Sequence, residues 1–210
     1  MSDAFYLSKE LENSIRKLKG DICVAFSGGV DSSVIAKAVQ EALFGTEKRA
    51  IAVTFETPLQ SREDSVTAKK VAEEIGITHT ALELDPTEDP NVLGNSRERC
   101  YFCKKHMFTA LLRFCRENGF DTVFDGTNAD DTGQYRPGLR AVEELGVISP
   151  LKELGYGKKE IVSLAEYYGL SVALRPASPC LATRVPYGEI LDREVLRRLG
   201  EGEEMLKTMI

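Results

Sequence analysis

Short apolar runs at residues 22–26, 50–55, 78–84, 121–125 and 147–149 are separated by segments long enough to hold a helix. No other feature of this chain constrains its fold as strongly. The runs have strand length, with flanking Gly and Asp, and are too short to be buried helices. Between and around them helical spacing recurs. Leu7, Leu11, Ile15 and Leu18 fall on one face, as do Val34, Ile35, Ala38, Val39 and Ala42, and later Ile161, Leu164, Ala165 and Tyr168. Strands joined by helical crossovers of this length pair in parallel. The pattern predicts a doubly wound α/β fold with a parallel five-stranded sheet, in which ligands bind beyond the carboxyl ends of the strands.

Boundary residues refine the pattern. Ser61, with an acid at Asp64, predicts a helix start, and Gly76 its stop. Helices are expected over residues 30–44, 61–75, 101–118, 138–145 and 157–168, and from 192 to the end. Segments 85–96, 126–137 and 175–188, rich in Pro, Gly and Asn, read as loops. The chain has no internal repeat and no low-complexity segment.

At 210 residues, 42% hydrophobic and 29% charged, the chain suits one principal domain with a real core and excludes a disordered polymer. The apolar runs fall far short of the ~18–20 residues a membrane span needs. The start, from Met1 to Glu10, lacks the basic and apolar regions of a secretory signal. Five cysteines, an odd number, fit metal or catalytic thiols in a reducing cytoplasm better than a disulfide framework. A net charge of −6 weighs against a nucleic-acid surface.

The first strand runs directly into Ser27-Gly28-Gly29-Val30-Asp31-Ser32-Ser33, which opens the next helix. Glycines allow close backbone approach, three serines offer hydroxyls, and the helix start supplies free N–H groups at the positive end of its dipole. The loop is thus a cradle for phosphate. It has neither G-x-x-x-x-G-K-[ST] nor G-x-G-x-x-G. It resembles the SGGxDS motif of the PP-loop ATP pyrophosphatases, which split ATP between its α and β phosphates to adenylate a substrate. That resemblance implies a sheet of the adenine-nucleotide alpha-hydrolase-like type. Ser27, Gly28, Gly29, Asp31, Ser32 and Ser33 would hold ATP phosphates, and Asp31 would hold Mg²⁺ and serve catalysis. Asp125, Gly126 and Thr127, after a strand at the same sheet end, would complete the nucleotide site.

The cysteines divide into two kinds. Cys23 and Cys115 fall at apolar positions of a strand and a helix and read as packed core thiols. Cys100 and Cys103 form a C-x-x-C at a helix start, and Cys180 lies in a later loop. Three thiolates could hold three irons of a [4Fe–4S] cluster, leaving one iron open, or a zinc ion with His106 as a fourth ligand. His79 reads as a strand-edge residue.

Asp125-Gly126-Thr127-Asn128-Ala129-Asp130-Asp131, Tyr135-Arg136-Pro137-Gly138 and Arg184-Val185-Pro186-Tyr187-Gly188 resemble the LarE family of ATP-dependent sulfur transferases. The resemblance covers almost the whole chain. It implies a PP-loop domain over residues 1–188 and a C-terminal helix over 189–210, the start of a shortened C-terminal region in which Glu203 matches a family acid. The chain is then either a shortened member or a fragment of a longer one. The resemblance further implies adenylation of a carboxylate on a pyridinium-type mononucleotide, then sulfur insertion, in nickel-pincer cofactor biosynthesis. With Cys100, Cys103 and Cys180 all present, the chain matches members whose three cysteines carry a [4Fe–4S] cluster as the sulfur donor. Other members sacrifice one cysteine, here Cys180, to dehydroalanine. Arg136 and Arg184 would hold the acceptor's phosphate, or form surface ion pairs; Asp130 and Asp131 would bind Mg²⁺ or, more simply, cap a turn. The partners implied are a small nucleotide-like acceptor, a nickel-insertion protein and a second copy of the chain. A tRNA thiolase and a non-catalytic nucleotide sensor are the competing readings. Net charge weighs against the first and the three cysteines against the second.

Overall fold

A computed structural model describes residues 3–133 and 135–209. Helix α1 (Asp3–Arg16) leads into β1 (Ile22–Ala25), α2 (Val30–Leu43), β2 (Ala50–Glu56), α3 (Arg62–Ile75) and β3 (Thr78–Glu83). Then follow α4 (Pro90–Leu93), α5 (Arg99–Asn118), β4 (Thr122–Phe124), α6 (Pro137–Glu144), α7 (Pro150–Glu153), α8 (Lys158–Tyr167) and α9 (Arg193–Thr208). The expected last helix ends on Ile210, which lies outside the described residues, as do Met1 and Ser2 of the N-terminal reading.

Among the described residues the sheet has four parallel strands in the order β3-β2-β1-β4. β1 has a strand on each edge and helices over both faces, and Ile22, Cys23 and Val24 are fully buried. Side chains alternate across it. Ile22, Val24 and Phe26 join Phe124 in a core shared with α1, α2, α3 and α8, while Cys23 joins Ile51, Val53, Phe55 and Val123 against α5 and α6. Each core stands on one face of the sheet, the doubly wound arrangement the sequence predicts.

The predicted fifth strand is not formed. At 147–149 only Ile148 pairs, in a single parallel bridge to Phe124, with its N–H donating to Val123 O at 3.0 Å and its carbonyl accepting from Asp125 N at 3.0 Å. Gly146, at φ +69°, turns the chain just before, and Pro150 begins α7 just after. The turn at Gly146 and the helix begun by Pro150 confine the pairing to that one bridge.

Segment 85–96 also departs from the expected loop. It holds a 3₁₀ turn, Pro86–Glu88, and then α4. Each is started by an Asp-Pro step. Asp85 accepts from Thr87 N and Asp89 from Asn91 N, both at 2.8 Å, with proline at the first helical position. Segments 126–137 and 175–188 likewise contain short 3₁₀ turns, Ala129–Gly133 and Leu181–Arg184. Ser61 caps α3 through Asp64 N at 3.3 Å, and Gly76 and Gly119 end α3 and α5 in the left-handed region, as expected.

The strand order reverses direction at β1, since β2 lies on one side and β4 on the other. The loops following β1 and β4 therefore flank the crevice where such sheets bind ligands. They are in contact: a Cβ placed on Gly126 would stand 3.0 Å from Ser32 N.

Candidate active site

The loop after β1 is held open by its own hydroxyls. Ser32 Oγ donates to Gly29 O at 3.1 Å and accepts from Ser27 N at 3.2 Å, while Ser33 Oγ donates to Gly29 O at 2.8 Å. Gly28 sits at φ +69°, and a Cβ there would lie 2.6 Å from Ala68 Cα on α3. Gly29 caps α2 without any side-chain hydrogen bond. The first amides of α2 are thus left to a ligand, next to a loop that lets phosphate come close. Gly28→Ala should lose ATP binding and cost ~1–3 kcal/mol, from left-handed strain and a backbone clash, measured by ligand titration and denaturant unfolding.

Asp31 points from the first turn of α2 toward Lys158 on α8, whose Nζ lies 2.8 and 2.5 Å from its two carboxylate oxygens. Burial pushes the Asp31 carboxyl above its ordinary range, and Lys158 offsets part of that rise. Lys158 is itself placed by Asp130, whose carboxylate accepts from Lys158 N at 2.7 Å and so caps α8. Asp131 closes the local turn through Asn128 N at 3.1 Å and pairs with Arg136 at 2.8 Å. The two acids act as caps and pair partners, the simpler of their expected roles.

Asp125 is buried beneath the crevice. It accepts from Thr127 Oγ1 at 2.5 Å and Ser149 Oγ at 2.6 Å, and Lys104 Nζ stands 3.6 Å away. Its carboxylate therefore shapes the loop, while Gly126 and Thr127 line the crevice beside it.

Two cavities meet at the loop. One, of about 650 Å³, runs along the strand ends and is walled by Phe55, Met107 and Phe108, with Arg97, Lys104 and Arg136 supplying positive charge. The other, of about 600 Å³, lies between α2, α3, α8 and the 173–180 loop and presents Lys158 and Arg175. Ser27, Gly29, Asp31 and Gln60 border both. Gln60, on this junction, has its Oε1 buried without a hydrogen-bond partner among the described residues. An ATP triphosphate fits the loop amides and cations of this crevice.

The three outlying thiols share one neighbourhood. Cys100 lines the larger cavity and Cys180 the smaller. Cys103 and Cys180 pack against a cluster formed by Leu59, Val92, Leu181, Ala182, Leu191 and Leu196. Burial pushes the Cys103 thiol up to about 12 and raises Cys180, and the three sulfurs act electrostatically on one another. Among the described residues, however, no three His, Cys, Asp or Glu side chains are grouped closely enough to hold a metal ion as placed, and His106 joins no such group. The metal site expected on Cys100, Cys103 and Cys180 is therefore not formed as the side chains stand. Cys23 and Cys115 lie buried in the core facing each other, where burial and the neighbouring sulfur hold Cys23 protonated.

Arg136 lines the larger cavity, as a phosphate holder would. Arg184 lines neither cavity. Its guanidinium grips Glu203 at 2.6 and 3.0 Å and donates to Pro179 O at 3.0 Å and Thr183 Oγ1 at 2.7 Å. It clasps the Cys180 loop to α9, the ion pair that was the alternative to phosphate binding. The sequence reading missed Lys158, Lys104, Gln60 and Arg175. Gly157-Lys158-Lys159 signals only a helix start, and the other three carry no local motif. His79 stands on the edge strand β3, its ring nitrogen 2.8 Å from Thr54 Oγ1.

The asparagine synthase family model matches residues 7–132, the stretch containing the loop, Asp31 and the Asp125 turn. Together with the crevice, that match defines a PP-loop ATP pyrophosphatase, an ATP-using, AMP-forming enzyme. Within this class the chain belongs to the LarE family. It is 31% identical over 188 residues to pyridinium-3,5-bisthiocarboxylic acid mononucleotide synthase of Lactiplantibacillus plantarum, covering 90% of this chain and 67% of that one. It is also 37% identical to an uncharacterized protein of Synechocystis sp., covering 97% of this chain and 75% of the other. The solved NMN synthetase of Francisella tularensis superposes with a TM-score of 0.67 at 15% identity, covering 97% of this chain and 87% of that structure, which shows a shared fold.

Proposed function

We propose that this enzyme adenylates a carboxylate of a pyridinium-type mononucleotide and replaces the AMP with sulfur, a step in nickel-pincer cofactor assembly. The observation that carries the reading is the placement of Cys100 and Cys180 on the walls of the two cavities that meet at the pyrophosphate loop. A nucleotide-splitting centre and thiols adjoin, as adenylation followed by sulfur transfer requires.

In the first step an acceptor carboxylate oxygen attacks the α-phosphorus, the bond from that phosphorus to the α–β bridging oxygen breaks, and pyrophosphate leaves with the oxygen and its electron pair. The α2 amides and Lys158 stabilise charge on the leaving pyrophosphate. Asp31 would hold Mg²⁺, which neutralises phosphate charge. In the second step sulfide adds to the activated carbonyl and AMP departs, leaving a thiocarboxylate. Cys100, Cys103 and Cys180 would hold a [4Fe–4S] cluster, which supplies, when bound, a soft sulfide source at an iron without a protein ligand. A nickel-insertion protein is the downstream partner this chemistry implies.

The test supplies ATP, sulfide and the pyridinium-3,5-dicarboxylate mononucleotide to anaerobically reconstituted protein. AMP and pyrophosphate should appear in equal amounts, with a product carrying sulfur in place of oxygen by mass spectrometry. Release of ADP and orthophosphate, or AMP without a sulfur-bearing product, overturns the proposal.

A further inference from the structure

Arg99, the residue before the C-x-x-C, is buried, with 3% of its surface exposed. A guanidinium out of water is costly unless its donors and its charge are both met. Its donors are met. Nη1 bonds the Asn95 side-chain oxygen and donates to Ala182 O at 3.1 Å, Nη2 lies 3.7 Å from Cys100 Sγ, and the Tyr187 ring sits 5.5 Å from the guanidinium carbon. Its charge has a different surrounding. Among the described residues no carboxylate pairs with it, and the side-chain group its Nη2 faces is the Cys100 sulfur.

Asn95 completes a bracket. It is fully buried and held at φ +49°, a conformation Asn tolerates better than most residues. Its Nδ2 donates to Val185 O at 3.2 Å and Pro186 O at 2.8 Å, and its carbonyl accepts from Gly188 N at 3.0 Å. Arg99 and Asn95 thus tie residues 182–188 to the start of α5. The same loop is pinned by Leu181 N donating to Leu59 O at 2.9 Å and by the Arg184 clasp. The bracket brings Cys180, far along the chain, over Cys100 and Cys103.

We propose that Arg99 is a positioning residue: it holds the Cys180 loop over the C-x-x-C helix start and supplies the counter-charge for an anionic sulfur centre carried by the three thiols. The inference rests on the reading that these thiols act as one set. It does not depend on which acceptor is used.

Cadmium is a suitable probe, because Cd²⁺ displaces one proton from each thiol it binds, and three thiolates leave the centre with one negative charge. Full-length reduced protein is titrated with Cd²⁺ and followed by the ultraviolet sulfur-to-cadmium charge-transfer band, with Cys180→Ala defining the two-thiol affinity. Wild type should bind on the order of 10²-fold more tightly than Cys180→Ala, since the third thiol acts intramolecularly. Arg99→Met should fall to the two-thiol value, and Arg99→Gln, which keeps a tether without charge, should lie between. Arg99→Lys should recover most of the wild-type affinity, a rescue that loss of packing alone would not give. Circular dichroism confirms that each variant is folded, and Arg99→Gln serves where Arg99→Met is not. Wild-type affinity in both Arg99→Met and Arg99→Gln overturns the proposal, as does a Lys variant no better than Gln. If wild type binds no tighter than Cys180→Ala, the three-thiol set fails and this inference with it, while ATP cleavage to AMP stands on its own measurement.

Discussion

Asp31→Asn should abolish formation of AMP and pyrophosphate, by about 10³-fold or more in turnover, without lowering the thermal midpoint at neutral pH. The carboxylate sits on the first turn of α2, at the floor shared by both cavities, with Lys158 closed over it at 2.5 Å. Removing it strips the crevice of the anion that orients Lys158 and that would hold the phosphate-bound cation. The fold loses little, because the core on that face is built from Val34, Ile35, Ala38 and Val39. A coupled assay for pyrophosphate and a melting curve check both halves. A variant that keeps turnover would remove Asp31 from the chemistry.

Stability should move the other way from activity. The folded carboxyl of Asp31 is shifted upward, burial being the largest cause. The folded state therefore holds that proton more tightly than the unfolded chain does, and ionisation costs stability. The cost is absent below the unfolded pKa and grows as pH rises to the folded pKa, above which it is constant. Asp31→Asn should flatten this part of the pH–stability curve and leave the protein equally or more stable above it. Such a trade, stability given up for a charged group in the crevice, is expected of a functional carboxylate.

Local chemistry explains what the sequence made legible. The Ser27–Ser33 loop could be placed because glycine, hydroxyl and helix-start signals all lie within seven consecutive residues of strand and helix context. Ser61, Gly76 and Gly119 were readable for the same reason. What failed depended on distance or on competing breakers. Lys158 meets Asp31 across 127 residues, and nothing near Gly157 announces it. Arg184 resembles a phosphate ligand until Glu203, 19 residues on, takes up its guanidinium. The fifth strand had the right apolar residues, but the turn at Gly146 and the helix begun by Pro150 confine its pairing to one bridge. The Asp-Pro steps at Asp85-Pro86 and Asp89-Pro90 were visible signals of short helices and could have been used.

Cys180→Ala should abolish sulfur incorporation while leaving AMP and pyrophosphate formation largely intact. The pyrophosphate loop rests on β1 and α2, whereas Cys180 sits at the head of the Leu181–Arg184 turn, held there by Arg184 from one side and Leu59 from the other. Removing one sulfur leaves those backbone bonds in place, so the acyl-adenylate still forms but meets no sulfur and hydrolyses. Cys100→Ser and Cys103→Ser discriminate between two sources of that sulfur. If three thiols carry a cluster, each substitution should remove its visible absorbance and stop turnover beyond the first cycle, because three ligands are the fewest that leave one iron open. Cys23→Ala and Cys115→Ala should keep both, at a packing cost of ~1–2 kcal/mol, since these sulfurs lie in the other core against α5. If Cys180 gives up its own sulfur, Cys100→Ser and Cys103→Ser should transfer one sulfur per chain, and the spent protein should weigh less by the elements of H₂S at Cys180. The burial that raises the thiols of Cys103 and Cys180 works against a free thiolate at neutral pH. A cluster ligand and a sacrificial cysteine both need a thiolate, and intact-mass measurement after a single turnover decides between the two sources.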